Sequence, residues 1–297
     1  MLAIPVLLGV SVGVFLMIAF IPGDPATALA GDTASPDAIA RIRVELGLDQ
    51  PLPVQYLHFL ERLAHGSLGT SIRTHRDVTV EILDRLPYTL ELAFAAVVIS
   101  TLLGVSLGVI AAVNRARPAD LVTMGIAMVG LSVPTFFLAL IGIVVFSLRL
   151  HWLPVTGAAT LGSLVLPAVS LSLHSAAVKA RITRSSMLEI LSQDYLRTAR
   201  AKGLRERAVI WRHALKNALI PVSTIVGLQF GSLLGGAFII ETIFGWPGVG
   251  LLSIQAIFNR DFPVVQGTVL LVAVAYLVTN LAVDLLYAWL DPRIRYA

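Results

Sequence analysis

The chain of 297 residues contains no cysteine and few charged residues, which make up 13% of the sequence. Without cysteine, the chain can form no disulfide, no thiolate nucleophile and no cysteine-based metal site. Its six histidines show no metal-ligand spacing, so no metal-binding residue and no catalytic residue is predicted.

The sequence also lacks a phosphate-binding loop of the form GxxxxGK[ST]. Its only lysines are Lys179, Lys202 and Lys216, which are followed by alanine, glycine and asparagine. Because a serine or threonine must follow the lysine of that loop, the chain cannot hydrolyse ATP through it. The chain is therefore predicted not to be an enzyme of this class and to hold no cofactor.

What the chain has instead is long uncharged segments. Hydrophobic residues make up 57% of the sequence and the mean hydropathy is +0.84, values that exclude an ordinary soluble domain. About 20 apolar residues cross a bilayer core, and backbone in lipid must satisfy its own hydrogen bonds. We therefore predict an all-α membrane protein with six transmembrane helices, from the uncharged windows 1–23, 92–114, 121–148, 150–178 (helix about 163–180), 217–240 and 262–283.

The distribution of basic residues gives the orientation. Residues 114–119, 179–216 and the C-terminal tail carry 14 lysines and arginines, whereas the opposite side carries 8. The positive-inside rule then places both termini in the cytoplasm. No basic residue precedes the first span, and the competing interpretation of 1–23 is a signal peptide.

The segment after the first span is predicted to be a small extracytoplasmic helical insertion. Ser35 and Pro36 suit the start of one helix that stops at Gly47, and a second helix begins near Pro53 and ends near Gly66. A third short helix is predicted over 78–86. The predicted organisation is a first transmembrane helix at 1–22, the insertion at 23–88, a five-helix core at 89–290 with a cytoplasmic coupling loop at 181–216, and a tail at 291–297.

Polar and small residues within the spans are predicted to serve mainly in packing. Gly9 and Gly13, Gly104 and Gly108, and Gly227, Gly231 and Gly235 form GxxxG faces, which serve either the bundle itself or a subunit interface. Pro134 is expected to kink the third span. His174, Gln229 and Asp284 are expected to form structural hydrogen bonds, and Lys179 to extend towards the membrane interface. In the alternative, Asp284 is a proton relay.

One segment, residues 194–221, combines basic, apolar and small residues, and we call it the basic segment. It carries seven basic side chains against two acidic ones, and Gly203 separates two helix-prone runs. Composition alone favours a simple positive-inside anchor. The spacing of RTARAKG (197–203) resembles instead the cytoplasmic EAA-and-glycine loop of ATP-binding-cassette (ABC) importer permeases.

The resemblance extends over almost the whole chain. It includes IPGDP (21–25), LGLDQPLPVQYLHFLERLAHGSLGTSI (46–72), RHALKNALIPV (212–222), ETIFGWPGVG (241–250) and NLAVDLLYAWLDPRIRY (280–296), which are similar to the dipeptide/oligopeptide/nickel branch of these permeases. Two positions depart from the family pattern. Arg197 replaces the glutamate of the EAA motif, and Ser67 stands where the branch has an acidic residue.

This resemblance implies a type I ABC importer permease in a bacterial or archaeal cytoplasmic membrane. Its implied partners are a second homologous permease, two ATPases that hold ATP and magnesium, an extracytoplasmic solute-binding protein and membrane lipid, but no nucleic acid. It also implies that the ATPases are contacted through Ala199, Arg200, Ala201, Lys202, Gly203 and Leu204.

Dipeptides or oligopeptides are the favoured solute, with nickel, glutathione or another small solute as alternatives. The residues of the substrate path are not predicted. The rival functions are an ion-coupled secondary transporter, which the absence of an internal repeat disfavours, and a membrane-anchored scaffold.

Overall fold

The computed structural model of the chain describes residues 3–20, 26–27, 35–45 and 47–290. Within this part the backbone is helical or irregular, and the one β-type contact is an isolated bridge between Thr70 and Asp77. The chain forms two compact units, one of residues 1–89 with 247–277, the other of residues 90–246 with 278–297.

The helices follow one another in chain order. They are α1 (Ala3–Phe20), α2 (Pro36–Glu45), α3 (Leu52–Ala64), α4 (Val78–Val113), α5 (Pro118–Ser132), α6 (Thr135–Gly142) with a π-helical extension (Ile143–Arg149), α7 (Leu161–Leu191), α8 (Asp194–Ala201), α9 (Glu206–Ala208), a second π-helical segment (Val209–Ala214), α10 (Leu215–Gly236), α11 (Phe238–Phe244), α12 (Val249–Phe258) and α13 (Phe262–Leu290).

Four described helical stretches are long and apolar enough to cross a membrane, or up to six if each of two bent helix pairs is one span. The four are 78–113, 161–191, 206–234 and 262–283, and the bent pairs are α5 with α6 and its extension, and α11 with α12. The predicted spans two to six correspond to α4, α5 with α6, α7, α10 and α13. The first corresponds to α1, which has 18 residues. The segment 241–261, which lies between the predicted fifth and sixth spans, contains most of α11 and all of α12.

Pro134 breaks the third predicted span, so the expected kink is a bend of 101° between α5 and the helix that follows. Val133 and Pro134 have extended backbone, with ψ of 125° and 139°. A proline disfavours helical geometry in the residue before it and has no N–H to donate. Two helices therefore form on either side of it.

Residues 78–86 are helical as predicted, but they do not form a separate short helix. A single helix of 36 residues, α4, continues through Pro87. A proline inside a helix costs about 3 kcal/mol. Burial offsets this cost, since Val78 and Ile82 before the proline and Leu92 and Ala93 after it are almost fully buried.

The first unit combines the insertion with part of the last third of the chain. As predicted, α2 starts after Ser35, whose hydroxyl accepts a hydrogen bond from the Ala38 N–H at 3.3 Å. On α1, Phe15 packs against Tyr56 of α3 with ring centroids 5.3 Å apart. A small core joins the start of α4 to α12 and α13, and consists of Val78, Ile82, Ala256, Val264 and Val265.

The second unit is held together by close helix packing. At Gly104 of α4, an added Cβ would lie 2.6 Å from the Lys179 Cβ and 2.7 Å from the Ala176 carbonyl oxygen of α7. At Gly108 the nearest atom is the Thr183 Cβ, at 2.5 Å. These two glycines therefore serve packing within the chain. Gly227 packs against Val283, whereas nothing described lies within 4 Å of a Cβ at Gly9 or Gly13.

Candidate functional site

The basic segment begins with a short amphipathic helix, α8, directly after α7. Gln193 is extended and separates the two helices. Asp194 lies in the first turn of α8 and Arg200 in the last, which complements the helix dipole at both ends. The local sequence therefore favours a helix of two turns at this place.

The apolar face of α8 is buried against the neighbouring membrane helices. Leu196 is completely buried and Ala199 nearly so, three residues apart on one face. Together with residues of α4, α7 and the helix that follows, they form one core cluster that includes Met187, Val209, Ala214 and Ala218. Packed side chains thus connect α8 to the ends of these helices.

Gly203 makes the corner between α8 and α9, as the sequence predicted. It has a φ of +78°, in the left-handed region. Its N–H donates to the Arg200 carbonyl at 2.9 Å, and the Leu204 N–H donates to the Ala199 carbonyl at 3.3 Å. These two bonds are the Schellman arrangement that ends a helix, and they satisfy carbonyls that α8 leaves open.

An ion pair braces the same corner. The guanidinium of Arg200 donates from Nε to Glu206 Oε2 at 3.1 Å and from Nη2 to Glu206 Oε1 at 2.9 Å. The bidentate geometry fixes the direction in which the chain leaves the corner. The hydrogen bonds that Arg200 donates to Glu206 also raise the pKa of the Arg200 guanidinium above its usual range.

The six predicted coupling residues therefore come together in one turn, but they do not share one role. Ala199 faces the core and Arg200 braces the corner, whereas Ala201, Lys202, Gly203 and Leu204 are exposed. This outer surface is small, basic and partly apolar, since 42% of Leu204 is exposed. The side chain of Arg197, which replaces the family glutamate, is 78% exposed. Its Nη1 lies 3.5 Å from Asp194 Oδ1. Contact with an ATPase stays a prediction.

An ion pair beside this region was not predicted from the sequence. Arg184 of α7 donates to both carboxylate oxygens of Asp120 on α5, from Nε and Nη2, each at 2.7 Å. The Ala116 N–H donates to the same carboxylate at 3.0 Å. The pair ties the short turn before α5 to α7. The only sequence signal was an acidic residue within an otherwise basic turn.

Lys179 is the main error among the predicted polar residues. Instead of extending to the interface it is completely buried, and its ammonium donates to Ser100 Oγ at 2.8 Å and Thr101 Oγ1 at 2.9 Å. Its Cβ lies against Gly104, so α4 and α7 are too close for the side chain to leave. The hydroxyls on α4 take the place of interfacial water.

The other predicted hydrogen bonds have mixed outcomes. Gln229 confirms the prediction, because its Oε1 accepts from Ser100 Oγ at 3.2 Å. His174 contradicts it, because it is exposed and forms no hydrogen bond within the described residues. Asp284 lies in α13, but its side chain is outside the described part of the structure. No cluster of three or more histidine and carboxylate side chains suited to a metal occurs in the described part.

Comparison with known families matches nearly the whole chain. The family described as "Binding-protein-dependent transport system inner membrane component" matches residues 104–296, and the family of its N-terminal segment matches residues 1–93. The chain is 46% identical to the "Glutathione transport system permease protein GsiC" of Salmonella choleraesuis strain SC-B67, over 99% of this chain and 96% of that protein. It is 45% identical to the protein of the same name from Escherichia coli K12, with the same coverage.

Solved structures are similar in fold at lower identity. The structure described as an amino acid ABC transporter with histidines has a TM-score of 0.54 and 20% identity, covering 73% of this chain and 95% of that one. An inward-facing conformation of the MetNI methionine ABC transporter has a TM-score of 0.60 and 17% identity, covering 71% and 96%.

Proposed function

Because this chain belongs to the family of binding-protein-dependent transport system inner membrane components, we propose that its basic segment couples partner ATPases to the membrane helices. The chain is a membrane-spanning permease subunit of an ABC importer, and its fold is that of the type I importer permeases.

The observation that carries the proposal is the packing of α8. It presents an exposed basic and apolar surface on one side, while Leu196 and Ala199 anchor the other side among the ends of membrane helices. A separate protein that binds the outer surface can therefore move the helices as a unit. A simple anchor to anionic lipid needs neither the buried face nor the braced corner at Gly203 and Arg200.

The proposed assembly contains this chain, a second related permease, two ATPases and an extracytoplasmic solute-binding protein. ATP and magnesium bind to the ATPases, since this sequence has no phosphate-binding loop. Closure of the ATPases moves α8, and the shift passes through the core cluster to α7 and α10. The helices then open the path outward, the binding protein releases its solute, and hydrolysis resets the assembly. Each ligand shifts this equilibrium only by its differential affinity for the two states.

The proposed solute is a short peptide, with glutathione as the first candidate. Two curated relatives named above are glutathione permeases, and glutathione is itself a tripeptide. Dipeptides, longer peptides and nickel chelates are the other solutes to be compared. Both termini are proposed to lie in the cytoplasm of a bacterial or archaeal cell.

The test is purification of the chain with its native partners, followed by reconstitution into proteoliposomes. We expect two ATPases and a second permease to copurify, and uptake of labelled glutathione to require both ATP and the binding protein. Deletion of 197–204 should release the ATPases but leave the chain in the membrane. Purification without any ATPase, or uptake that continues without ATP, would contradict the proposal.

A further inference from the structure

A charged cavity of about 220 Å³ lies within the unit formed by residues 1–89 and 247–277. It is formed by the loop that follows α3, the first turns of α4, α12 and the loop before α13. Its positive and negative charges are equal in number. They belong to the arginines Arg73, Arg76 and Arg85 and to the carboxylates Glu81, Asp84 and Asp261. The predicted orientation places this cavity on the extracytoplasmic side.

Three of these charged groups already form hydrogen bonds or an ion pair within the protein. Asp261 is buried and accepts from Ser71 Oγ at 2.5 Å and from the Ile72 N–H at 3.2 Å, so it fixes the loop. Arg76 and Asp84 form an ion pair at 2.9 Å. These groups shape the cavity, and they leave little charge for a ligand.

The other three charges are available. The guanidinium groups of Arg73 and Arg85 form no hydrogen bond or ion pair within the described residues. Glu81 is 7% exposed, and one of its oxygens accepts from the Thr74 hydroxyl. The other oxygen has no hydrogen-bond partner in the described part of the chain. This oxygen is not fully buried, so it can accept a hydrogen bond from a positively charged group in the cavity.

The cavity therefore offers two donors for a carboxylate and one acceptor for an ammonium. Arginine recognises carboxylates with paired N–H donors, and such charge-assisted bonds are the strongest in this class. Leu252, Ala256 and Val264 supply an apolar wall beside these charged groups. The volume is below the roughly 300–1,000 Å³ of sites for drug-sized ligands, so only one end of a solute fits.

We propose that this cavity binds the end of a peptide solute that carries an ammonium and a carboxylate on the same carbon. Such an end occurs in a γ-glutamyl peptide, whereas an α-linked peptide carries these charges at opposite ends. Arg73 and Arg85 hold the carboxylate and Glu81 holds the ammonium. This inference rests on the proposed function and names the chemical class of solute that the permease accepts.

The first experiment measures binding to the complete reconstituted complex in nanodiscs, without binding protein and without ATP. The probes are glutathione, its N-acetyl derivative and alanylalanine. Titration calorimetry measures the affinity of the complex for each probe. We expect glutathione to bind at least about tenfold more tightly than either other probe, since each of those probes loses a charge-assisted hydrogen bond.

Variants then locate the binding. Arg73→Gln, Arg85→Gln and Glu81→Gln should each weaken glutathione binding by about tenfold or more. Arg62→Gln is the matched control, because Arg62 is an exposed arginine of α3 that does not line the cavity. It should bind glutathione as the unmodified complex does.

Three results would overturn the inference. They are the absence of glutathione binding to the unmodified complex, equal binding of the three probes, and equal effects of the cavity variants and Arg62→Gln. If glutathione does not bind but the cavity variants weaken capture of the solute-free binding protein, the cavity is a protein contact.

ATP-driven uptake is measured on the same preparation. Intact uptake with failed binding rejects this inference alone, whereas absent uptake of every tested peptide rejects the proposed function.

Discussion

Gly203 has a backbone conformation that other residues adopt only at a cost. An added Cβ there would meet nothing within 4 Å, so the cost of a substitution comes from the φ of +78° and not from a clash. A left-handed residue other than glycine costs about 1–2 kcal/mol, and a β-branched one is less suited still. We expect Gly203→Val to distort the corner and to lower coupled transport.

Asparagine is the matched substitution, because it tolerates the left-handed region better than other residues. Gly203→Asn should retain most solute-stimulated ATPase activity, and Gly203→Val should lose most of it. Both variants should be present in the membrane in normal amounts. Equal activity of the valine variant and the unmodified complex would show that the corner does not transmit motion.

Lys179 is expected to serve packing and not transport. Burying a charge without a counter-ion is costly, and the partners of the Lys179 ammonium in the described part of the chain are two hydroxyls, so an apolar side chain of similar volume should be neutral or stabilising. In Lys179→Met the side chain keeps its length, and Ser100 can still donate to the Val97 carbonyl, which lies 3.0 Å away. Thermal unfolding of the solubilised complex should occur at the same or a higher temperature.

Lys179→Ala provides the comparison, because it leaves a cavity between α4 and α7. Loss of a large buried side chain costs about 2–5 kcal/mol, so this variant should unfold at a lower temperature. If Lys179→Met assembles normally but no longer transports, the charge itself takes part in transport and the packing role is wrong.

At the scale of helices, the contact between α4 and α7 depends on Gly104. A Cβ at this position would lie 2.6 Å from a side-chain carbon and 2.7 Å from a backbone oxygen, and neither can move easily. Gly104→Ala should therefore separate the helices and destabilise the unit by about 1–3 kcal/mol. Gly125→Ala on α5 is the control, since nothing lies within 4 Å of its added Cβ.

Alanine favours helix over glycine by up to about 1 kcal/mol, so Gly125→Ala should be neutral or slightly stabilising. Thermal unfolding in one detergent compares the two variants directly. An equal or higher unfolding temperature for Gly104→Ala would mean that the two helices are further apart than the structure places them.

Helices whose ends are set by neighbouring residues could be predicted from the sequence. Ser35 and Gly47 bracket α2, and Gly203 ends α8, because caps and left-handed turns depend on neighbouring residues. Features that depend on residues far apart in the sequence could not be predicted. The short helix predicted over 78–86 is part of α4, which burial on both sides of Pro87 keeps continuous, and the partners of Lys179 are 78 and 79 positions away.

At the scale of the whole chain, orientation is open to a direct test. Ser35 and Ser192 are both exposed, and the chain has no cysteine of its own. In intact cells a membrane-impermeant thiol reagent should label Ser35→Cys but not Ser192→Cys, because basic residues concentrate on the side of Ser192. After cells are opened, both variants should be labelled. Labelling of Ser192→Cys alone in intact cells would reverse the predicted topology.

The source of energy separates an ABC importer from an ion-coupled transporter. If ATPase partners drive transport, collapse of the proton gradient with an ionophore should leave glutathione uptake intact while ATP and magnesium are supplied. Removal of magnesium with a chelator should stop uptake, since ATP hydrolysis in P-loop ATPases needs the ion. Asp284→Asn should keep substantial uptake, because asparagine keeps the size and an acceptor oxygen but cannot carry a proton. Uptake that stops with the gradient despite ATP, together with an inactive but assembled Asp284→Asn variant, would favour the proton relay and contradict ATP-driven import.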